Sequence, residues 1–176
     1  SGDQNHPYIQ GGKIVWVDTP TDSIKVYDVN TGQIIKTISS PGAYPALYGN
    51  DIIWLQGSNT IFHHNLQTNI TSQITVNTSE KGAPSIFGNL IVWHDKRNGE
   101  QDIYMYDLVN QRESRITTST DLEGNPIIYG NKIVYVNFSS TQSDIMLYDI
   151  TSTQTTQITS HSTTQWGPHI YQDIIV

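Results

Sequence analysis

The side chains that could carry chemistry are few and scattered. Asp95, Lys96, Arg97 and Asp102 form one charged stretch. It reads either as a loop facing a partner or a cation, or as a solvated turn in which Asp102 caps the next strand. Its acids lack the one-three-five spacing of a calcium loop. His63 and His64 are adjacent, so on a strand they point to opposite faces and cannot chelate one metal together. His6, His94, His161 and His169 are dispersed. The sequence holds no Gly-x-Ser-x-Gly elbow, no His-Glu-x-x-His and no phosphate loop. Acids could meet in space as a pair for glycoside chemistry, but nothing selects such a pair. The expectation is no catalytic residue, no metal and no cofactor.

Composition narrows the partners. The 176 residues carry a net charge of -7, with 9 basic against 16 acidic residues. A nucleic-acid binder needs clustered Lys and Arg to neutralise phosphates, and no such cluster is present, nor a polybasic patch for anionic lipid. Charged residues make up only 14% and hydrophobic ones 36%, the balance being Ser, Thr, Asn, Gln and Gly. Apolar residues come in short β-branched and aromatic clusters, which favour strands over membrane-spanning helices. There is no cysteine, which excludes disulfides and thiol chemistry. The opening Ser1-Gly2-Asp3 lacks an initiator Met, so upstream residues are expected to have been removed, with Ser-Gly a cloning scar. Three Asn-x-Ser/Thr sequons, at Asn69, Asn77 and Asn137, match the number that the Asn, Ser and Thr content alone produces.

What organises these residues is a repeat. Pro7, Pro45, Pro84, Pro126 and Pro168 recur at steps of 38, 39, 42 and 42 residues. Nine residues after each of the first four comes an aromatic: Trp16, Trp54, Trp93 and Tyr135. Between them lies a hairpin pattern, as in Ile127-Ile128-Tyr129-Gly130-Asn131-Lys132-Ile133-Val134. Gly at the first central position suits a two-residue primed turn, and each Pro is expected at a strand start, where its missing N–H does least harm. A third strand follows and closes on Asp28, Asn65, Asp107 or Asp149, side chains suited to start a turn by accepting from nearby backbone N–H groups. A fourth strand is expected at Thr37-Ile38, Gln73-Ile74-Thr75, Arg115-Ile116-Thr117 and Gln157-Ile158-Thr159. Four short antiparallel strands in about 40 residues is the arithmetic of a propeller blade. The second strand is apolar on both faces, as Ile14-Val15-Trp16-Val17 shows, so both its faces should be covered.

These residues carry a resemblance. Pro-x-Ile-Tyr-Gly-Asn-x-Ile-Val-Trp, then Asp-Ile-Tyr-x-Tyr-Asp-Leu, then Gln-Ile-Thr is similar to the TolB-like (WD40-like) propeller repeat of archaeal and bacterial cell-surface proteins. Unit three shows it best, from Trp93-His94-Asp95 to Asp102-Ile103-Tyr104-Met105-Tyr106-Asp107. Unit two departs most, with His64-Asn65 in place of Tyr-Asp and a short Gln56-Gly57-Ser58-Asn59 turn. The fold class expected is all-β, a β-propeller of four full four-stranded blades and a truncated fifth. The repeats run approximately 5–42, 43–81, 82–122 and 123–164, with a partial copy at 165–176. The chain then reads as a single propeller or a fragment of one, with a second copy a possible means of completing the ring.

The resemblance puts the first strand innermost, so the loops between units share one face with the loops between second and third strands. Tyr44 and Trp166 are aromatics in otherwise polar loops, and Glu123 lies in the loop before Pro126. With Asp95 and Arg97 they make the candidate ligand- or partner-binding set, the aromatics as stacking surfaces for a sugar or a side chain. For each aromatic the alternative is packing against the next blade. The function expected is a non-catalytic binding or scaffold module of a secreted, periplasmic or cell-surface protein, with a protein or glycan partner and no membrane insertion. An accessory propeller of a larger enzyme such as a peptidase, or a self-assembling surface-layer unit, is the alternative.

Overall fold

A computed structural model describes residues 3–139, 142–160 and 163–176; Ser1 and Gly2 of the expected scar, and His161, lie outside them. The chain divides into two compact units, Ser1–Thr78 and Ser79–Val176. Each is built from antiparallel sheets in which every strand pairs with its sequence neighbour.

The first unit holds two four-stranded sheets. One is β1 (Gln4–Gln10), β2 (Lys13–Asp18), β3 (Ser23–Asp28) and β4 (Gln33–Ile38); the other is β5 (Ala43–Tyr48), β6 (Asp51–Gln56), β7 (Thr60–Asn65) and β8 (Ile70–Gln73). The second unit holds β9 (Ser85–Phe87), β10 (Leu90–Asn98), β11 (Glu100–Asp107) and β12 (Arg112–Arg115), then β13 (Leu122–Tyr129), β14 (Lys132–Phe138), β15 (Ser143–Asp149) and β16 (Gln154–Gln157). A two-stranded hairpin, β17 (Ile170–Tyr171) and β18 (Ile174–Ile175), follows.

Sheets stack through the doubly apolar second strand. In the first unit Leu47, Ile52 and Trp54 of the second sheet pack on Val15, Ile24, Val26 and Ile38 of the first. In the second unit Ile128, Ile133 and Tyr135 pack on Val92 and Ile103 in the same way. Each fully buried aliphatic side chain contributes roughly 1.5–3 kcal/mol of transfer free energy, so this stacking is the main source of cohesion inside each unit.

The turns follow their side chains. At Gly11-Gly12 both residues have positive φ, whereas at the Gly-Asn turns only Gly49, Gly88 and Gly130 do, near 60°, which is the type II′ arrangement. Asp28, Asn65 and Asp107 each accept from backbone N–H groups two and three residues on, at 2.8 to 3.2 Å. In the second unit the turn asparagine bonds this acid across the sheet: Asn89 Nδ2 to Asp107 Oδ1 at 2.6 Å and Asn131 Nδ2 to Asp149 Oδ2 at 2.9 Å.

Three expectations need correction. The recurring prolines mostly do not start strands: Pro7, Pro45 and Pro126 lie inside β1, β5 and β13, at the register shifts between Asn5 and Tyr8, Ala43 and Ala46, and Gly124 and Ile127. A bulge leaves a residue out of the ladder, so the missing N–H removes no bond. Residues 95–101 are not a charged loop but the end of a long hairpin, since β10 runs to Asn98 and β11 starts at Glu100, with Gly99 at φ 108° between them. The Ile-Thr pairs of the fourth strands sit just beyond β8, β12 and β16. There Ile74, Ile116 and Ile158 N–H groups donate at 2.8 Å to the carbonyls of Ile61, Ile103 and Ile145. The following threonine hydroxyls, of Thr75, Thr117 and Thr159, accept at 2.9 Å from those same third-strand residues' N–H groups.

Thr117→Val should therefore leave the buried Ile103 N–H without an acceptor at a site where the valine methyls fit the space. The expected loss is about 1–3 kcal/mol, read as a lower urea midpoint with an unchanged slope.

Candidate functional site

The polar candidates are best ordered by their place in the repeat. Three residues before the repeat proline and two after the aromatic, the first and second strands face each other: Gln4 with Asp18, Lys81 with Asp95, Glu123 with Asn137. A polar pair recurs at this level in the first, third and fourth copies.

In the first unit Asp18 accepts from Lys25 Nζ and Gln4 Nε2, both at 2.7 Å, and from Thr21. The bond from Lys25, helped by those from Thr21 and Gln4, holds its carboxyl down near about 2.

In the second unit Asp95 is fully buried. It accepts from Trp93 Nε1 at 3.2 Å, from the Arg97 N–H at 2.9 Å, from Arg97 Nη2 at 2.6 Å and from the Ser79 hydroxyl. Lys81 Nζ lies 3.4 Å from the same carboxylate with its side chain also fully buried. Arg97 continues to Glu113 and lies over the Tyr104 ring at 4.1 Å. Burial by itself would raise the Asp95 carboxyl, but the bonds from Arg97, Ser79 and Trp93 outweigh it and bring it to about 2. Burial likewise lowers the Lys81 ammonium, with Asp95 opposing that shift. Two cations around one sealed carboxylate form an internal clamp that fixes the long β10–β11 hairpin on the segment that precedes β9.

Beside the clamp, the His94 ring occupies the space above two glycines. A Cβ on Gly82 would stand 1.9 Å from the ring, and one on Gly124 would stand 3.4 Å from Nδ1. The Asn125 N–H points at Nδ1 at 3.4 Å, and burial, with Lys96, holds the imidazole below its ordinary pKa. Glu123 is buried as well, and its Oε2 has no partner among the described residues. Burial raises this carboxyl; Thr117 and Asn137 bond it and oppose the rise, and Asp102 and Asp121 add to it.

The two aromatic candidates stay in solvent. Tyr44 is 44% exposed, and its backbone is left-handed at φ 51°. The His6 ring rests against it at 4.2 Å. His6, Tyr44 and Asn125, each immediately before a repeat proline, share φ values of 51 to 52°. A residue before proline is pushed toward extended backbone, and a bulky side chain with positive φ is strained by of order 1–3 kcal/mol. Trp166 is 67% exposed and leans on Phe138 at 5.2 Å between ring centres.

Of the five candidates, then, Asp95 and Arg97 form one ion pair, Glu123 is buried at the equivalent level of the next sheet, and Tyr44 and Trp166 project from separate units. Sequence reasoning missed Lys81, His94, Tyr104 and Glu113. The signal for Lys81 was available, because it stands at the same offset from its proline as Gln4 and Glu123. His63 and His64 turn to different partners: His63 Nε2 meets Asp51 at 2.7 Å while His64 Nδ1 meets Thr71 at 2.8 Å.

A scan against protein-family models finds no match, and a search of curated proteins finds none. Solved structures do match. TolB from Acinetobacter baumannii superposes with a TM-score of 0.71 at 20% identity, covering 90% of this chain and 44% of that one. A putative TolB from Agrobacterium tumefaciens gives 0.65 at 14% identity, over 89% and 67%. A puromycin-hydrolyzing peptidase from Mycobacterium tuberculosis gives 0.63 at 12%, over 89% and 29%. The fold is a TolB-like β-propeller fold of four-stranded blades. This chain spans less than half the length of the Acinetobacter TolB.

Two outcomes follow for stability. The Asp95 carboxyl is lower folded than its unfolded value of about 4, so its contribution is present above pH 4 and fades as pH falls from about 4 toward 2. Asp95→Asn should flatten that acid limb and lower stability at neutral pH by about 3 kcal/mol, since it leaves Lys81 and Arg97 facing a neutral group. The Glu123 carboxyl is shifted the other way, so the stability it costs appears as pH rises from its unfolded value near 4.3. Glu123→Gln should raise Tm at pH 7 and leave it unchanged at pH 4; equal shifts at both would contradict a buried charge.

Proposed function

We propose that this chain is a non-catalytic, protein-binding propeller segment of an exported or cell-surface protein. Contact is made by Tyr44 in the first unit and Trp166 in the second, with a glycan as the other ligand class these rings suit. The observation that carries this reading is Tyr44 itself. A tyrosine held exposed on a left-handed backbone just before a proline is conformationally unfavourable, and such strain persists where it presents a side chain for use. Exposed Tyr and Trp with rigid backing are the residue types that dominate binding surfaces. His6 and Phe138 supply that backing. Asp95 and Glu123 are buried and Arg97 is tied to Asp95 and Glu113, so these three are left out of the contact set.

A second reading rests on the peptidase among the structural neighbours: an accessory propeller of a larger hydrolase, its substrate-facing surface the same. A hydrolase domain encoded in the same open reading frame favours it over the first reading.

On a peptide and glycan array probed with the intact protein, Tyr44→Ala and Trp166→Ala should each reduce the retained signal about ten-fold or more. Both sites are exposed, so thermal unfolding should stay near that of the parent. Array binding that survives both substitutions removes these two residues from the interface.

A further inference from the structure

In three copies of the repeat, tyrosine stands just before the acid that caps the turn after the third strand. Tyr27, Tyr106 and Tyr148 hold that place in the first, third and fourth copies, and His64 holds it in the second. A phenol stays neutral through the physiological range, whereas an imidazole takes up a proton at about pH 6.5. The second copy thus carries a side chain that titrates near neutrality where the others carry one that does not.

Register shows how this ring is enclosed. Leu47, Ile52, His64 and Thr71 form one row across β5, β6, β7 and β8, and residues in one row share a side of the sheet. Leu47 and Ile52 are on the side stacked against Val15, Ile24 and Val26 of the first sheet. His64 therefore lies in that contact, where it is 2% exposed. Its Nδ1 meets the Thr71 hydroxyl at 2.8 Å, and its Nε2 has no hydrogen-bond partner among the described residues. A neutral ring fits this setting with one bonded nitrogen. A protonated ring must leave an N–H and a positive charge sealed from water.

The neighbours do not compensate that charge. The first sheet brings Lys36 to the contact, in the row of Val26, and its Nζ donates to Asn69 Oδ1 just before β8. The next row on that side holds Lys13 and Asp28, and Asp28 is engaged by the Asn30 and Thr31 N–H groups. On the second sheet Asp51 and His63 are bonded to each other on the opposite side, and β5 and β8 carry no charged residue. Burial, with Lys36 and His63 adding to it, holds the His64 imidazole below its ordinary range.

We propose that His64 is an acid switch of the first unit: neutral, it lets the second sheet stack on the first; protonated, it drives the two sheets apart. The same stacking sets the His6 ring of β1 against Tyr44 of β5, with ring centres 4.2 Å apart. Separation of the sheets parts these two rings, so a partner held at Tyr44 is released in acid; that consequence rests on the reading of Tyr44 as a contact residue. The folded ring resists protonation and the opened one does not. The opened state therefore binds the extra proton, and stability falls as pH drops below about 6.5. One proton taken up on opening shifts the opening equilibrium by up to about ten-fold per pH unit.

Hydrogen exchange of the intact 176-residue protein, read by mass spectrometry from about pH 7.5 to about pH 5 and corrected for the intrinsic pH dependence of exchange, tests this. The two units are followed separately, because His94 and Glu123 are shifted groups of the second. Protection of β3 to β7 should fall about ten-fold or more over that range. His64→Gln, and His64→Tyr, which restores the residue of the other copies, should each hold it constant. His63→Gln, on the opposite side of the sheet, should leave the fall in place. Parent protection that does not fall overturns the switch, as does a fall that persists in both His64 variants. A His64 ring signal in NMR that titrates at about 6.5 also overturns it, because that is the value of a solvated imidazole. A partner found through Tyr44 should dissociate faster in acid from the parent but not from His64→Gln. The exchange measurement uses no partner, so a failure of the Tyr44 reading is distinguished from a failure of the switch.

Discussion

A strand that is apolar on both sides is stable only between two covering layers. In this chain β6 and β14 are such strands: Ile52, Ile53, Trp54 and Leu55, then Ile133, Val134, Tyr135 and Val136, have almost no contact with solvent. No isolated sheet could accommodate them, because one face of a lone sheet is wet. The rest of the architecture inside each unit follows from this. Sheets must stack, each must present a flat aliphatic surface on one side and an aromatic-bearing surface on the other, and the strands must be short enough for turns to keep the next sheet in step.

Stacking in turn dictates what happens at strand ends, where backbone groups would otherwise be sealed away unpaired. The second, third and fourth copies answer with the same few side chains. An acid or Asn caps the turn after the third strand, and a threonine hydroxyl takes the third strand's free N–H where the fourth strand departs. Gln73, Arg115 and Gln157 then bond the carbonyl of that threonine at 2.7, 2.9 and 2.8 Å. Arg can replace Gln in this place because only a donor of suitable reach is required. The Gln-Ile-Thr pattern is therefore an end-of-sheet device, which also explains why its Thr75 and Thr117 are buried although the fourth strands themselves are exposed.

Much of this was legible in the sequence because it depends on local offsets. The proline-to-aromatic spacing, the Gly-Asn turns and the opposed directions of His63 and His64 are all consequences of two-residue periodicity and tight-turn geometry. What was hidden depends on three dimensions. Asp95 and Arg97 read as a solvated charged loop because their run of polar residues has no apolar partner nearby in sequence. The hairpin instead extends through them, and Lys81, fourteen residues upstream of Asp95, closes the clamp through an isolated bridge from the segment before β9. The proline was misplaced for a related reason: a strand start and a bulge both tolerate a missing N–H, and only pairing on both sides of Pro7, Pro45 and Pro126 separates them. His94 gave no signal of its own; the clue was the absence of a side chain at Gly82 and Gly124, which only a ring lying across them makes meaningful.

The bulge also divides the polar residues of the chain into two kinds. Those level with the paired strands, Asp18, Lys81, Asp95 and Glu123, are buried: Asp18, Lys81 and Asp95 are held in ion pairs, while Glu123 carries a buried charge at a cost in stability. Those at the bulge, His6, Tyr44 and Asn125, are lifted out of the ladder by a left-handed residue fixed in place by the following proline. A ladder residue must share its side chain's direction with its neighbours, whereas a bulged one is re-aimed without disturbing the pairing on either side. The bulged side chain accordingly differs among the first, second and fourth copies, from imidazole to phenol to amide, while the strand pairing on either side of it is kept. The side chain at the bulge can change without touching the core, because it is the one the sheet does not need.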